Sequence, residues 1–164
     1  MKKGFDLIVK DNFLDEDLFK KIHSRINKYT YLHGYNNIEN INHIWYSCNV
    51  EEDIEQVVKE SAEKIWNKKF KVNFCTYTML ATVEPRVHCD LGDNCDHQII
   101  IYIKGNTNLH KGTGFYLNNE LNTHVGFNEN RALSWHSNTW HSPLNWASDD
   151  KSKRYSIICQ LKEI

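Results

Sequence analysis

The chain has 164 residues with nearly balanced charge, a formal net charge of −1 at neutral pH. This balance argues against a general nucleic-acid-binding surface, which needs a concentrated basic face, and no run approaches the ~20 apolar residues of a membrane helix. Five irregularly spaced cysteines without a signal peptide favour free thiols in a reducing cytoplasm. We therefore expect one cytoplasmic domain without nucleic-acid or membrane partners; the sequence carries no signal of oligomeric state.

Helices and short strands are predicted in the N-terminal part of the chain, residues 1–69. Leu18, Ile22 and Ile26 follow an acidic start and recur at helical spacing, so they form one apolar stripe. Residues 51–68 place apolar side chains on one broad face and Glu and Lys on the other, which predicts a second amphipathic helix. Short strands are predicted over 5–9 and around 44–46.

Residues 70–164 are predicted to form strands. The residues at 99–103 are a continuous apolar run, typical of a buried strand. A turn into a strand is predicted over 112–117, and further strands over 70–80, 132–135 and 155–161. Two helices followed by many short strands indicate an α+β fold with helices packed on one side of an antiparallel barrel or sandwich.

His88 and Asp90 form the first candidate site. One residue separates them, so both side chains point to the same face of an extended chain. With one more imidazole from a distant segment they would supply two histidines and one carboxylate, the ligand set of non-heme Fe(II) sites with open coordination positions. A His-x-Asp pair alone is more typical of a surface turn or a structural hydrogen bond, so the metal interpretation depends on the later segments.

Three late histidines, His124, His136 and His141, are candidates for the distant ligand. We favour His141 because it lies 13 positions before Arg154, about the length of a loop and a strand entry. His136 remains the alternative, either as the ligand or as part of a substrate pocket.

A structural zinc site is a less favoured alternative. Its ligands would be His88, Cys89, Cys95 and His97. The five residues between the two cysteines do not match the tight pairs typical of structural zinc, and Cys89 would point away from His88 in an extended chain.

Arg154 and Ser156 form the second candidate site. They are also two positions apart and share a face if the segment is a strand. A guanidinium and a hydroxyl together make a good receptor for a carboxylate. The alternative is that Arg154 lies on the surface of the basic turn formed by residues 151–154.

In their order and spacing these segments resemble the Fe(II)/2-oxoglutarate-dependent dioxygenases, specifically small prolyl-hydroxylase-like and phage-encoded members. The resemblance covers most of the chain. It is carried by residues 8–14, 88–90, 101–104, 112–115, 130–135, 140–143 and 154–156.

The resemblance implies a double-stranded β-helix (jelly-roll) core over 70–164, with residues 1–69 as mainly helical support and two N-terminal helices packed on one side. It also implies an Fe(II) site that carries the catalysis and a 2-oxoglutarate site. The residues so assigned are His88, Asp90 and His141 for Fe(II), and Arg154, Ser156, Tyr102 and, as a weaker candidate, Tyr77 for 2-oxoglutarate.

The activity implied is hydroxylation with O₂, releasing succinate and CO₂, with ascorbate as a candidate reductant. Asp90 favours hydroxylation, because halogenating relatives lack this carboxylate. Gln160 replaces the second arginine usual in relatives that dealkylate nucleic acids. We expect a peptidyl substrate, prolyl or similar, with determinants in 30–49 and 105–125. The alternatives are a small molecule or free amino acid, or a non-catalytic jelly-roll binding module.

Overall fold

The computed structural model describes residues 5–33, 45–80, 87–90, 94–144 and 153–164. It consists mostly of antiparallel β-strands, with two helices ahead of most of them. In chain order the elements are strand β1 (Leu7–Lys10), helix α1 (Glu16–Arg25), a short 3-10 helix (Ile26–Lys28), strands β2 (Leu32–His33) and β3 (Trp45–Asn49), helix α2 (Glu52–Trp66), and strands β4 (Phe70–Leu80), β5 (His97–Lys104), β6 (Asn108–Leu117), β7 (Glu120–Phe127), β8 (Arg131–His136), β9 (Trp140–Leu144) and β10 (Arg154–Glu163).

The strands form two sheets. The larger sheet has seven strands in the order β1-β8-β5-β10-β4-β3-β2, and the smaller has three in the order β7-β6-β9. A bridge between His88 and His141 sets the short segment 87–90 beside β9. Several strands that pair in the larger sheet are far apart in the sequence, as in β1 with β8 and β4 with β10. This is the predicted jelly-roll architecture.

The larger sheet has two faces, because successive side chains on a strand alternate in direction. The face that packs against the helices is called the helix face here, and the one that packs against the smaller sheet the inner face. The helix face includes Ile99, Ile101, Ile157 and Cys159. The inner face includes Ile100, Tyr102, Leu133 and Trp135, which pack with Phe115, Val125 and Phe127 of the smaller sheet.

Both helices contribute to the core on the helix face. Helix α1 begins after Asp15, whose side chain accepts a hydrogen bond from the Leu18 backbone N–H. Helix α2 buries Ile54 and Val58 completely against the sheet. Each such aliphatic side chain contributes about 1.5–3 kcal/mol by leaving water. The helices thus stabilise the back of the sheet that carries the candidate site on its other face.

The N-terminal part of the chain differs from the predicted division at residue 69. Strands β1, β2 and β3 all belong to the larger sheet, so residues 1–69 supply strands as well as helical support. Strand β3 corresponds to the strand predicted around 44–46, although residue 44 lies outside the described residues. Strand β7 falls largely in the stretch 105–125, which carries little periodicity.

The turn predicted at 112–114 is instead the middle of strand β6. Glycine is required at position 112 because of its backbone conformation, and not because the chain turns there. Gly112 has φ of 149°, and a Cβ atom would lie 2.0 Å from the Val125 carbonyl oxygen. Only glycine permits this backbone conformation and this close approach of β7. The irregular pairing between Asn108 and Gly112 marks a local departure from the ladder.

Candidate metal centre

Backbone pairing brings the two halves of the predicted metal site together. The His88 N–H donates to the His141 carbonyl at 3.0 Å, and the His141 N–H donates to the His88 carbonyl at 2.8 Å. The Asp90 N–H donates to the Ser137 carbonyl at 3.0 Å. Three hydrogen bonds therefore hold the segment 87–90 against β9 and its preceding turn, and His88 faces His141 directly.

The side chains of His88, Asp90 and His141 converge. One ligand atom from each lies within 4.8 Å of the others. The two imidazole centres are 4.4 Å apart, and the His141 Nε2 lies 3.5 Å from the Asp90 Oδ2. Among the residues that the structure describes, this is the one group of three such side chains close enough to hold a metal ion. Two imidazoles and one carboxylate fit Fe(II) with open coordination positions.

His141 is held ready to act as a ligand. Its Nδ1–H donates to the Thr139 carbonyl at 2.9 Å, which leaves Nε2 with the lone pair that faces Asp90. Burial, and to a smaller extent the neighbouring His88, lower the pKa of His141 to about 3, while the hydrogen bond to Thr139 acts in the opposite direction. The imidazole therefore stays neutral at physiological pH, as a metal ligand must be. Trp135 packs against its ring at 4.9 Å between centres.

Arg154 lies on the inner face at the start of β10 and is only 2% exposed. Its Nη1 donates to the Gly112 carbonyl at 3.4 Å, and its guanidinium lies 5.4 Å from the Tyr102 ring centre. Burial lowers the pKa of Arg154, although Tyr102 acts in the opposite direction. A guanidinium remains charged in proteins, so this enclosed positive charge attracts an anion such as a carboxylate.

Two hydroxyl groups border Arg154. The Tyr102 hydroxyl shares a hydrogen bond of 2.6 Å with the Thr113 hydroxyl. The Ser156 Oγ is buried and has no hydrogen-bond partner among the described residues. A buried hydroxyl without a partner costs about 1–3 kcal/mol. A ligand that accepts a hydrogen bond from Ser156 would remove this cost.

Tyr77 does not lie with these residues, which corrects its prediction as a 2-oxoglutarate ligand. Its strand partner is Ile157, so it belongs to the helix face rather than to the inner face of Ser156. Its hydroxyl donates to the Glu51 Oε2 at 2.6 Å, and its ring stacks on Tyr29 at 5.2 Å. Tyr77 and Thr78 are consecutive residues of β4, so their side chains point to opposite faces of the sheet.

The alternative metal ligands lie on the helix face, pair with another side chain or are exposed on the surface. His136 points to the helix face, where its ring centre lies 5.1 Å from that of Trp66. His136 also lines two surface pockets of about 340 and 280 Å³. His97 pairs with Glu163 at 2.7 Å. Within the described residues, His97 and Cys95 join no metal-binding group. His124 is exposed on β7. In the described part of the chain, His141 and not His136 lies with His88 and Asp90, and no group of three possible ligands includes Cys89, Cys95 or His97.

Two residues near the site were not among the predicted ones. Thr113 is buried and bonds to Tyr102, and Trp135 packs against His141. Trp135 lies in a predicted strand, and alternation would place it on one of two faces. Which face is the inner one depends on the register between strands, so the sequence alone could not assign it.

No protein-family model matches the chain, and no curated protein matches it in sequence. Solved structures match closely in fold. A prolyl hydroxylase from Trichoplax adhaerens, in complex with a hypoxia-inducible-factor peptide fragment, gives a TM-score of 0.72 at 13% identity over 96% of this chain and 83% of that one. A prolyl-4-hydroxylase from Pseudomonas putida gives 0.67 at 14% identity over 97% and 94%.

A third match has different chemistry. The non-heme α-ketoglutarate-dependent epimerase SnoN of nogalamycin biosynthesis gives a TM-score of 0.69 at 10% identity, over 96% of this chain and 77% of that one. Identities this low show the fold. The chain therefore has the jelly-roll fold of the 2-oxoglutarate-dependent non-heme iron oxygenases. Neither helix in the described part of the chain is long and apolar enough to span a bilayer.

Proposed function

We propose that the chain is an Fe(II)- and 2-oxoglutarate-dependent dioxygenase that hydroxylates a peptidyl substrate, prolyl or similar, and releases succinate and CO₂. In this proposal residues 1–164 are a single cytoplasmic domain, consistent with five cysteines that are all described and all free thiols. The observation that carries the proposal is the convergence of His88, Asp90 and His141 in the interior that also encloses Arg154.

The metal ligands are His88, Asp90 and His141. Fe(II) held by them would, with O₂ and 2-oxoglutarate, supply the oxidising power for hydroxylation. The chain contributes geometry. The Thr139 carbonyl orients the His141 ring, and the reciprocal hydrogen bonds between His88 and His141 hold the two ligand segments in register. Asp90 occupies the carboxylate position that halogenating relatives lack.

The co-substrate residues are Arg154, Ser156 and Tyr102. Arg154 supplies the buried positive charge for the distal carboxylate of 2-oxoglutarate. The Ser156 hydroxyl, which has no partner among the described residues, donates to the same group. The hydroxyl of Tyr102 borders this corner and is positioned by Thr113. Apolar side chains between the two sheets exclude water from the interior.

The peptidyl substrate is supported by the fold shared with the Trichoplax enzyme, which was solved with a peptide fragment. The nearly neutral charge of the chain agrees with a substrate other than nucleic acid. SnoN, in complex with nogalamycin RO, is a neighbour of the same fold that acts on a small molecule. A small molecule is therefore the second candidate substrate.

The first test is spectroscopic. Purified protein is loaded with Fe(II) and 2-oxoglutarate under anaerobic conditions, and the weak visible charge-transfer band of the chelate is recorded. We then expect succinate on admission of O₂, even without substrate. Folded, iron-loaded protein with neither the band nor succinate would contradict the proposal.

Histidine variants test the ligand set. We expect His141→Ala to lower Fe(II) affinity by about 100-fold or more, since even the loss of a group that supports a ligand costs 10–100-fold. His136→Ala is the matched control, because His136 lies on the helix face, and it should retain iron like the wild type. Bound iron after desalting measures both, and circular dichroism checks their folding. If His136→Ala lost iron and His141→Ala retained it, the third ligand would be His136 rather than His141.

A further inference from the structure

Four side chains form a row across the inner face of the larger sheet. Trp135 pairs with Gln98, Gln98 pairs with Gln160, and Gln160 pairs with Phe74, each on the neighbouring strand. Neighbouring strands are about 4.8 Å apart, so these side chains lie next to one another. Gln98 shares its face with Tyr102, and Gln160 shares its face with Ser156 by the same alternation. The row is therefore two amides between two aromatic rings.

The row leads from solvent to the metal site. Phe74 is 40% exposed, Gln160 is half-buried, Gln98 is 5% exposed and Trp135 is 2% exposed. At the buried end, the Trp135 ring lies 4.9 Å from the ring of the proposed ligand His141. A substrate that approached His141 along this face would pass over Phe74 and then over the two glutamines.

Neither glutamine side chain is used by the protein itself. Within the described residues, the amides of Gln98 and Gln160 form no hydrogen bond with another protein group. Gln98 is 5% exposed as a residue, and its amide is not among the fully buried polar groups that lack a partner in the described part of the chain. The amide therefore keeps contact with the space beside the inner face, where its donors and acceptor are available to a ligand.

We infer that Gln98 and Gln160 are substrate-binding residues that recognise a peptide amide group beside the iron site, which rests on the proposed dioxygenase function. Each glutamine offers one acceptor oxygen and two N–H donors, so the pair can bind both the carbonyl and the N–H of a peptide group. Phe74 and Trp135 flank the pair with apolar surface for the neighbouring substrate atoms.

Charge decides between a peptide and a nucleic acid for this site. A glutamine can also bind an adenine edge, but nucleic-acid affinity comes mainly from basic side chains on the phosphates. The row itself contains no charged residue, and the chain carries a net charge of −1. A neutral amide is therefore the ligand class that the row fits best.

The stability of the apo protein tests whether Gln98 is reserved for a ligand. Gln98→Leu replaces an unpaired amide with an apolar group of similar size. We expect the melting temperature to stay within about 2 °C of the wild type, because Gln98→Leu removes no hydrogen bond among the described residues, and a loss of 1 kcal/mol would lower it by about 2–4 °C in a chain of this size. Gln56→Leu, at an exposed position of helix α2, is the control and should change it little. A glutamine with a structural role would instead give a lower melting temperature for Gln98→Leu, which would overturn the inference.

Substrate affinity is tested with a mixture of blocked pentapeptides that have proline at the centre and random residues elsewhere. Peptide binding is followed by the change in the charge-transfer band of the anaerobic Fe(II)–2-oxoglutarate complex. We expect Gln98→Leu and Gln160→Leu to weaken the apparent peptide affinity by about 10–100-fold, the effect of leaving a substrate amide unpaired. Affinity for 2-oxoglutarate should stay within about two-fold of the wild type in both variants, as it should in Gln56→Leu.

The outcomes separate this inference from the proposed function. Absence of the band in the wild type would contradict the dioxygenase itself. A normal band that no peptide perturbs, or that only a single-stranded oligonucleotide perturbs, would overturn amide recognition and leave the dioxygenase intact. Peptide affinity unchanged in both glutamine variants would overturn the assignment of these two residues.

Discussion

The two faces of the larger sheet are built from the same strands but differ in how they treat polar groups. On the helix face, the Glu51 carboxylate accepts hydrogen bonds from both Tyr77 and Tyr29 and pairs with Arg25 at 2.9 Å. On the inner face, the Ser156 and Thr76 hydroxyls and the Trp135 indole N–H are buried without hydrogen-bond partners among the described residues. Within the described residues, polar groups without a partner occur on both faces, as the His97 Nδ1 shows for the helix face, but more of them lie on the inner face.

This difference indicates what each face is for. Buried polar groups in proteins are hydrogen bonded in the great majority of cases, and each exception needs a reason. The exceptions on the inner face lie in the same interior as the three candidate metal ligands and Arg154. In the proposed function, the helix face stabilises the sheet and the open polar groups of the inner face would bind ligands.

The largest difference between the faces should appear with two arginines. Arg154→Ala removes the enclosed charge of the inner face, so we expect 2-oxoglutarate affinity to fall by about 100-fold, or about 3 kcal/mol, with iron retention preserved. Arg25→Ala removes an arginine on the helix side and should leave this affinity within about two-fold. Calorimetric titration with Mn(II) in place of Fe(II) measures both. Equal losses of 2-oxoglutarate affinity in the two variants would contradict the difference between the two faces.

A core substitution on the helix face should have the opposite pattern. Ile54→Ala leaves a cavity under a fully buried side chain, so we expect the free energy of unfolding to fall by about 2–5 kcal/mol. Affinity for 2-oxoglutarate in the folded protein should not change. Urea denaturation and calorimetric titration provide the two measurements. A large loss of affinity at temperatures where the variant is folded would mean that the faces are coupled.

The smallest expected effect is a pH dependence on the helix face. Burial lowers the pKa of His97, and His136 and Lys68 act in the same direction, while the hydrogen bond to Glu163 raises it. With a folded-state pKa below the ordinary 6.5, the unfolded chain binds a proton more readily than the folded one. Stability should therefore be greatest above pH 6.5 and decrease as the pH falls through the folded-state pKa.

The measurement is the urea midpoint of the metal-free protein between pH 7.5 and 5.5. His141 contributes in the same direction, because its pKa is also lowered. The share of His97 is obtained from the variant His97→Gln, which should show a shallower pH dependence than the wild type. An identical slope in the variant would contradict the assignment.

Much of the candidate site could be predicted from local spacing. His88 and Asp90 share a face, as do Arg154 and Ser156, because alternation in an extended chain is a local property. The choice of His141 over His136 rested on its distance from Arg154 along the chain, and in the structure His141 is the one of the two that lies with His88 and Asp90. The substrate determinants were less predictable. They were expected in 30–49 and 105–125, whereas the amide pair inferred here lies on two long strands.

Tyr77 shows where local spacing stops being informative. A tyrosine in a predicted strand must point to one of two faces, and nothing in its neighbours tells which. The pairing of Tyr77 with Ile157 places it on the helix face, one position from Thr78, which pairs with Ser156. Register between strands 80 residues apart is set by the packing of the whole sheet, because shifting it by one residue would exchange the two faces.

The sequence by itself determined the class of fold and the two candidate pairs, His88 with Asp90 for a metal and Arg154 with Ser156 for a carboxylate. Each depends on side chains a few positions apart, whose relative direction the backbone geometry alone decides. Only the tertiary structure decided that His88 lies opposite His141, and that Gln98 lies opposite Gln160 with Trp135 beside it. Those neighbours come from distant segments, so they depend on how the strands pair and on which face the helices cover.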